Sequence, residues 1–168
     1  MKKIYLGLGS NMGDREQMLR QALAMIGNEI GTITACSSLY RTKAVGFEGD
    51  DFLNMVASVA SAVSPSGLIG RLLMIESKLG RIRCEGRYSS RTIDIDVLFI
   101  DDQVINSESL IVPHPRLHER RFVLEPLNEI APELVHPLLG KTAGALLKDC
   151  TDESPVVKLP YPLNTLNS

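Results

Sequence analysis

The chain has 168 residues, 44% of them hydrophobic and 23% charged, the make-up of a soluble globular protein with one compact core and too few residues for two ordinary domains. Its net charge of −2 excludes a chain-wide polyanion-binding surface, so a site for phosphates must be a local gathering of positive charge.

The opening Met1-Lys2-Lys3 is basic, but the apolar run after it is short and broken by Gly7 and Gly9, so it lacks the core of a secretory signal. Ile4, Leu6 and Leu8 alternate with Tyr5 and Gly7, which predicts a first strand over residues 3–9. The stretch from Gly7 to Asp14 reads as a tight glycine turn between strand and helix; a phosphate-binding turn is the alternative, with the third glycine at the wrong spacing for a dinucleotide fingerprint. Asp14 and Gln17 form a capping-box pattern ahead of Met18, Leu19, Ala22, Leu23 and Ile26 at helical spacing, and Gly27 suits the stop.

A second strand is expected over about residues 30–41, and a loop over 43–50. Phe52 to Ala60 reads as a third strand with Phe52 and Asn54 on one face. That pair fits either a core Phe beside an Asn bonded to backbone, or an aromatic plate and an amide that stack and read a flat heterocycle. Ser64 and Pro65 are a good N-cap and first helical residue for a second amphipathic helix ending at Gly80, with Glu76 on the border of its apolar stripe.

Gly80 to Leu98 is the stretch richest in chemistry. Arg81, Arg83, Arg87 and Arg91 crowd one loop, and Asp94 and Asp96 follow in an apolar run. Strand alternation sets both aspartates on one face and Ile93, Ile95 and Val97 on the other. Like charges side by side in a strand need open water or a cation between them, and Mg²⁺ commonly binds through one or two carboxylates with water and phosphate oxygens as its other ligands. Arginines bind phosphates bidentately, so loop and strand together predict a metal–polyphosphate site, against a solvated edge strand with a charged loop. Short strands near Val104-Ile105 and Leu110-Val112 are expected to extend the sheet. Beyond them Arg116, Arg120 and Arg121 surround His114 and His118 in a proline-restrained segment, which fits a positive wall for phosphates or a solvated helix end better than a zinc site. A short helix from about Thr142 and a proline-containing tail after Ser154 read as structural. Cys36, Cys84 and Cys150 form no Cys-x-x-Cys pair, so neither zinc nor a disulfide framework is expected and a reducing cytoplasm is the predicted compartment.

In order these elements give β-α-β-β-α-β, an α+β chain with a ferredoxin-like core, an antiparallel sheet, and short C-terminal strands and helices. The same order serves RNA-recognition modules, but 5% aromatics and a negative net charge argue against one. A Mg²⁺-dependent phosphohydrolase on the same carboxylates is the other alternative.

The motifs together carry a resemblance over nearly the whole length. Leu8-Gly9-Ser10-Asn11, Ser38-Leu39-Tyr40-Arg41-Thr42, Phe52-Leu53-Asn54, Gly80-Arg81-Ile82-Arg83, Arg91-Thr92-Ile93-Asp94-Ile95-Asp96, Val112-Pro113-His114 and Glu129 to Leu134 occur in the order seen in the 6-hydroxymethyl-7,8-dihydropterin pyrophosphokinases, the folate-pathway enzymes, which the chain resembles. The resemblance implies a single pyrophosphokinase domain over residues 1–168, probing no nucleic acid or membrane and working as a monomer. It implies transfer of the β,γ-pyrophosphoryl group of ATP to the pterin hydroxymethyl group, with two Mg²⁺ ions on Asp94 and Asp96. Arg81 and Arg91 match arginines that close over the triphosphate, and Glu76, Arg83, Arg87, His114 and Arg120 match positions near ATP. Phe52 and Phe122 match the aromatics that sandwich the pterin, and Asn54 the amide that reads it. Ser89 and Ser90 stand where the family commonly has Gly-Pro, Phe52 where Tyr is frequent, Pro115 where some relatives carry an aromatic, and Ser109 where some carry arginine, so loop path and ATP affinity are expected to differ from those of relatives.

Overall fold

A computed structural model describes residues 1–11, 14–43, 51–80 and 93–160. Strand β1 (Lys2–Ser10) leads to helix α1 (Arg15–Glu29), then β2 (Thr32–Cys36), β3 (Tyr40–Thr42) and β4 (Phe52–Ser61). Helix α2 (Pro65–Lys78) and strand β5 (Asp94–Ile100) follow. The C-terminal part adds β6 (Ile105–Asn106), β7 (Ile111–Val112), a 3-10 turn (Leu117–Glu119), α3 (Arg121–Ile130), α4 (Ala143–Asp149) and β8 (Val157–Lys158). No described helix is long and apolar enough to cross a membrane.

The capping residues act where the sequence places them. Asp14 accepts from the Gln17 N–H at 3.1 Å, Ser64 from Gly67 and Thr142 from Ala145, each satisfying an amide that the first helical turn leaves open. Gly27 does not stop α1, which runs to Glu29 with Gly27 on its solvent side. The stop comes when Ile30 turns inward, 4% exposed, to join the core.

One sheet runs β5-β1-β4-β3-β8, with β2 also paired to β4, and every pairing is antiparallel. The single strand expected over residues 30–41 is two: the chain leaves β4 at Ser37, whose hydroxyl accepts from the Val56 N–H at 2.9 Å, and rejoins at Tyr40. Strands β6 and β7 do not extend the sheet; they pair with each other, and β8 supplies the added edge.

Two apolar layers hold the sheet. On one face Ile4, Leu6, Leu53, Met55, Val59, Ile95 and Val97 pack on Leu19, Leu23 and Ile26 of α1 and Leu68, Leu72 and Ile75 of α2. Burying each such Leu or Ile contributes about 1.5–3 kcal/mol. On the second face Tyr5, Val56, Leu98 and Phe99 pack on Leu117, on Val123, Leu124 and Leu127 of α3, and on Leu146 of α4. Alternation would send Leu98 and Phe99 to opposite faces. The register shifts between Tyr5, paired with Phe99, and Leu6, paired with Val97, so a bulge at Leu98 turns both toward the second layer.

Candidate active site

The second face is covered at the Tyr5–Phe99 end by α3 and α4, and the functional side chains stand at the other end. In register, Gly9 lies between Asp94 of β5 and Asn54 of β4, and Asn54 is in turn opposite Tyr40 of β3. The next row sets Gly7 between Asp96 and Val56. Directly paired residues project to the same face, so Asp94, Asp96 and Asn54 share it, as the alternation predicts, with two glycines as the floor between them. Gly7 and Gly9 are therefore not a turn: both lie inside β1, and neither has the positive φ that turns take from glycine. What they supply is space. A Cβ on Gly9 would lie 3.0 Å from Asn54 Oδ1 and 3.9 Å from Phe52 Cδ1.

Asn54 is 7% exposed and its Nδ2 donates to Thr42 Oγ1 at 2.9 Å, which fixes the amide with Oδ1 over Gly9. Thr42, to which the sequence reading assigned no role, is thus the residue that orients Asn54; its pairing opposite Phe52 is a tertiary fact that no local pattern reveals. Phe52 is half-buried on the Asn54 side.

At the outer edge of β5 lies a cleft of about 510 Å³ that brings together Asp96, Glu76 and His114 among Ile69, Leu72, Leu73, Leu110 and Ile111. Glu76 is 3% exposed, more deeply placed than a border residue of an amphipathic helix. The His114 backbone N–H donates to the Leu98 carbonyl at 3.0 Å, and its Nδ1 accepts from the Arg116 N–H at 3.2 Å, so a neutral ring carries its proton on Nε2. Burial first, then Arg120 and Arg116, holds this imidazole below its ordinary value against the opposing pull of Asp94. The cleft therefore offers a neutral N–H donor beside a carboxylate. Ser109 and Glu108 line the same cleft.

A family model described as 7,8-dihydro-6-hydroxymethylpterin-pyrophosphokinase (HPPK) matches residues 5–132. The chain belongs to the HPPK family. The 2-amino-4-hydroxy-6-hydroxymethyldihydropteridine pyrophosphokinase of Bacillus subtilis is 46% identical over 132 residues, 77% of this chain and 78% of that protein. The protein of the same name from Synechocystis is 40% identical over 154 residues, 90% of this chain and 78% of that one. Folic acid synthesis protein fol1 of Pneumocystis carinii is 36% identical over 159 residues, and the chain spans 21% of its length. Among solved structures, Plasmodium falciparum HPPK-DHPS superposes with a TM-score of 0.74 at 18% identity, over 88% of this chain and 45% of that one, a likeness of fold.

Of the residues that HPPK membership draws attention to, Arg81, Arg83, Arg87 and Arg91 lie outside the described residues, as does the loop over 44–50. Arg120 occupies the N-cap position of α3 without a capping side-chain hydrogen bond, its guanidinium carbon lies 5.7 Å from the Phe122 ring centroid in a cation–π contact, and Phe122 rests half-buried against the second layer. His118 does not pair with His114 as an i, i+4 couple. The 3-10 turn carries it to His136, 6.5 Å between ring centroids, and His136 in turn meets the Phe99 ring edge to face.

Proposed function

We propose that this HPPK-family chain transfers the β,γ-pyrophosphoryl group of ATP to the hydroxymethyl group of 6-hydroxymethyl-7,8-dihydropterin in folate biosynthesis, giving AMP and the pterin diphosphate. The observation that carries the reading is the row Asp94, Gly9, Asn54, which sets an acidic pair and a fixed amide on one face with no side chain between them. A flat ring can lie on that floor with its polar edge at Asn54 Oδ1, stacked by Phe52 and Phe122, and its hydroxymethyl group then extends toward Asp94 and Asp96.

Two carboxylates flanking a floor open to substrate oxygens fit Mg²⁺. Among the described residues no group of three or more His, Cys, Asp and Glu gathers, so Asp94 and Asp96 would hold two such ions jointly with water and substrate phosphates. When bound, the ions would supply charge neutralisation on the triphosphate and a lowered pKa for the acceptor alcohol. ATP fits the neighbouring cleft, its base among Leu72, Leu110 and Ile111 and its phosphates toward Asp96, with the Nε2–H of His114 as a donor to phosphate oxygen. Arg120 adds positive charge, and Arg81, Arg83, Arg87 and Arg91 are assigned to the triphosphate from their place in the family motifs. No described side chain is needed as a general base.

We assign the core to the ferredoxin-like class, in support of which the two-helix face and the β5-β1-β4 order, with β2 and β3 both paired to β4 and β8 added beyond β3, follow the expected connection. One domain over residues 1–168, acting as a cytoplasmic monomer, completes the proposal. Family membership leaves the phosphohydrolase and nucleic-acid readings without support.

The test is a product assay with ATP, Mg²⁺ and the pterin alcohol. AMP and pterin diphosphate should form in equal amounts and only when pterin and metal are both present. ADP as product, or phosphate release without pterin, overturns the assignment.

A further inference from the structure

Asn11 follows the last residue of β1 and is 1% exposed. Among the described residues neither its amide nitrogen nor its amide oxygen has a hydrogen-bond partner. Buried polar side chains are overwhelmingly partnered, because an unmet donor or acceptor forfeits its hydration for nothing. An amide with both ends unmet among the described residues is open to a partner that arrives with a ligand.

Its position indicates which partner. Strand β1 ends at Ser10, paired with Leu53; carried one residue past that pair, the alternation of Gly7 and Gly9 directs position 11 to the second face, at the end of the row of Asp94 and Asn54. Asn11 does not line the cleft of Glu76 and His114. The chemistry agrees. A triphosphate presents acceptors only and would leave the Asn11 oxygen unmet, whereas a 2-amino-4-oxo heterocycle presents N–H donors beside ring-nitrogen and carbonyl acceptors and can meet both ends.

We propose that Asn11 is a second positioning amide for the pterin, pairing a donor and an acceptor with the ring as it lies beside Phe52. The inference rests on the pyrophosphokinase reading. Asn11, just past the end of β1, acts together with Asn54 of β4 and holds the ring in the orientation that directs its hydroxymethyl group to Asp94.

The test measures pterin and ATP-analogue affinities, each with the other ligand present, together with thermal unfolding, for the wild type, Asn11→Leu and Asn11→Asp. Leu copies the heavy-atom shape of Asn with neither donor nor acceptor; Asp keeps a polar shape and loses both N–H donors. Asn11→Leu should weaken pterin binding by about tenfold or more and leave ATP-analogue affinity within about twofold. Its Tm should equal or exceed that of the wild type, since both unmet polar atoms are gone. Asn11→Asp should also weaken pterin binding, and it decides the matter should the Leu variant not fold. Pterin affinity within about twofold of wild type in a folded variant overturns the inference, as does a fall in both affinities in step with a lowered Tm. A wild type that binds no pterin takes down the functional reading and this inference together, whereas tight wild-type binding with unaffected variants removes this inference alone.

Discussion

Gly9→Ala places a single methyl group on the floor between Asp94 and Asn54. The new Cβ would sit 3.0 Å from Asn54 Oδ1, tighter than ordinary van der Waals contact, so the amide must give by a few tenths of an ångström. That amide is tied to Thr42 Oγ1 by a 2.9 Å hydrogen bond, and straining it costs about 0.5–1.5 kcal/mol. Alanine recovers about 0.4–1 kcal/mol by restricting the unfolded chain at a position whose φ is not positive. The two nearly cancel, and for a chain of this size 1 kcal/mol moves Tm by about 2–4 °C, so Tm should stay within about 4 °C of wild type. Catalysis has no such compensation. The displaced Asn54 loses a hydrogen bond to the ring, a factor of about 2 to 13 at the same energies, and the methyl also lifts the ring from the floor, so the pterin KM should rise about tenfold or more. The assay is AMP formation at saturating ATP with pterin varied, alongside thermal unfolding. A folded variant with the wild-type pterin KM refutes the reasoning.

Three further outcomes follow from other parts of the molecule. Asp96→Ala should abolish AMP formation, by at least about a hundredfold in kcat, with a Tm close to that of wild type because Asp96 is only half-buried; near-normal turnover removes it from the reacting centre. Glu129 accepts from Tyr40 Oη at 2.6 Å and from both the N–H and Oγ of Ser38, tying α3 to the β2–β3 turn, so Glu129→Ala should cost about 2 kcal/mol and about 4–8 °C in Tm, read by calorimetry. The same pair shows in titration: burial and then the Glu129 bond raise the Tyr40 hydroxyl above its ordinary value. His136 is held below its ordinary 6.5, by burial and then by His118, so between its folded value and 6.5 the unfolded chain binds the proton that the folded one refuses. That contribution is whole above pH 6.5 and is lost as pH falls, at a slope of at most about 1.4 kcal/mol per pH unit. His114 adds the same sign. His136→Asn, which keeps an acceptor for the Leu138 and Leu139 N–H groups, should flatten the acid side of a urea-midpoint profile; an unchanged slope would remove His136 as its source.

The acidic pair was legible because strand alternation is local and β5 keeps it up to the bulge at Leu98, which leaves Asp94 and Asp96 on one face, opposite Gly9 and Gly7. The caps were legible for the same reason, each needing only residues three apart. Gly7 and Gly9 fell in both the predicted strand and the predicted turn, because a glycine needed for its φ and a glycine needed for its missing Cβ look alike in a sequence; only the neighbours across β4 and β5 separate the two cases. The break at Ser37, the bulge at Leu98 and the isolation of the β6–β7 pair are settled by contacts with distant strands, which leave no mark on local periodicity. Phe52 and Asn54 were ambiguous until the Thr42 bond and the Gly9 gap gave the amide a direction.

Between the acidic pair and the Asn54 amide there are two interstrand steps, about 9.6 Å of backbone from Asp94 to Asn54. That interval is set by peptide hydrogen bonds, so it is indifferent to which apolar residues pack beneath it, and a fold match at TM-score 0.74 alongside 18% identity is what such indifference permits. Point substitutions in either hydrophobic layer can accumulate while the reach across the floor stays constant. A single-residue insertion or deletion in β1 has the opposite character, because it turns Leu8 to the floor and the glycines to the core at one stroke. The reach across this floor thus depends on the phase of β1 more than on which apolar residues lie beneath it.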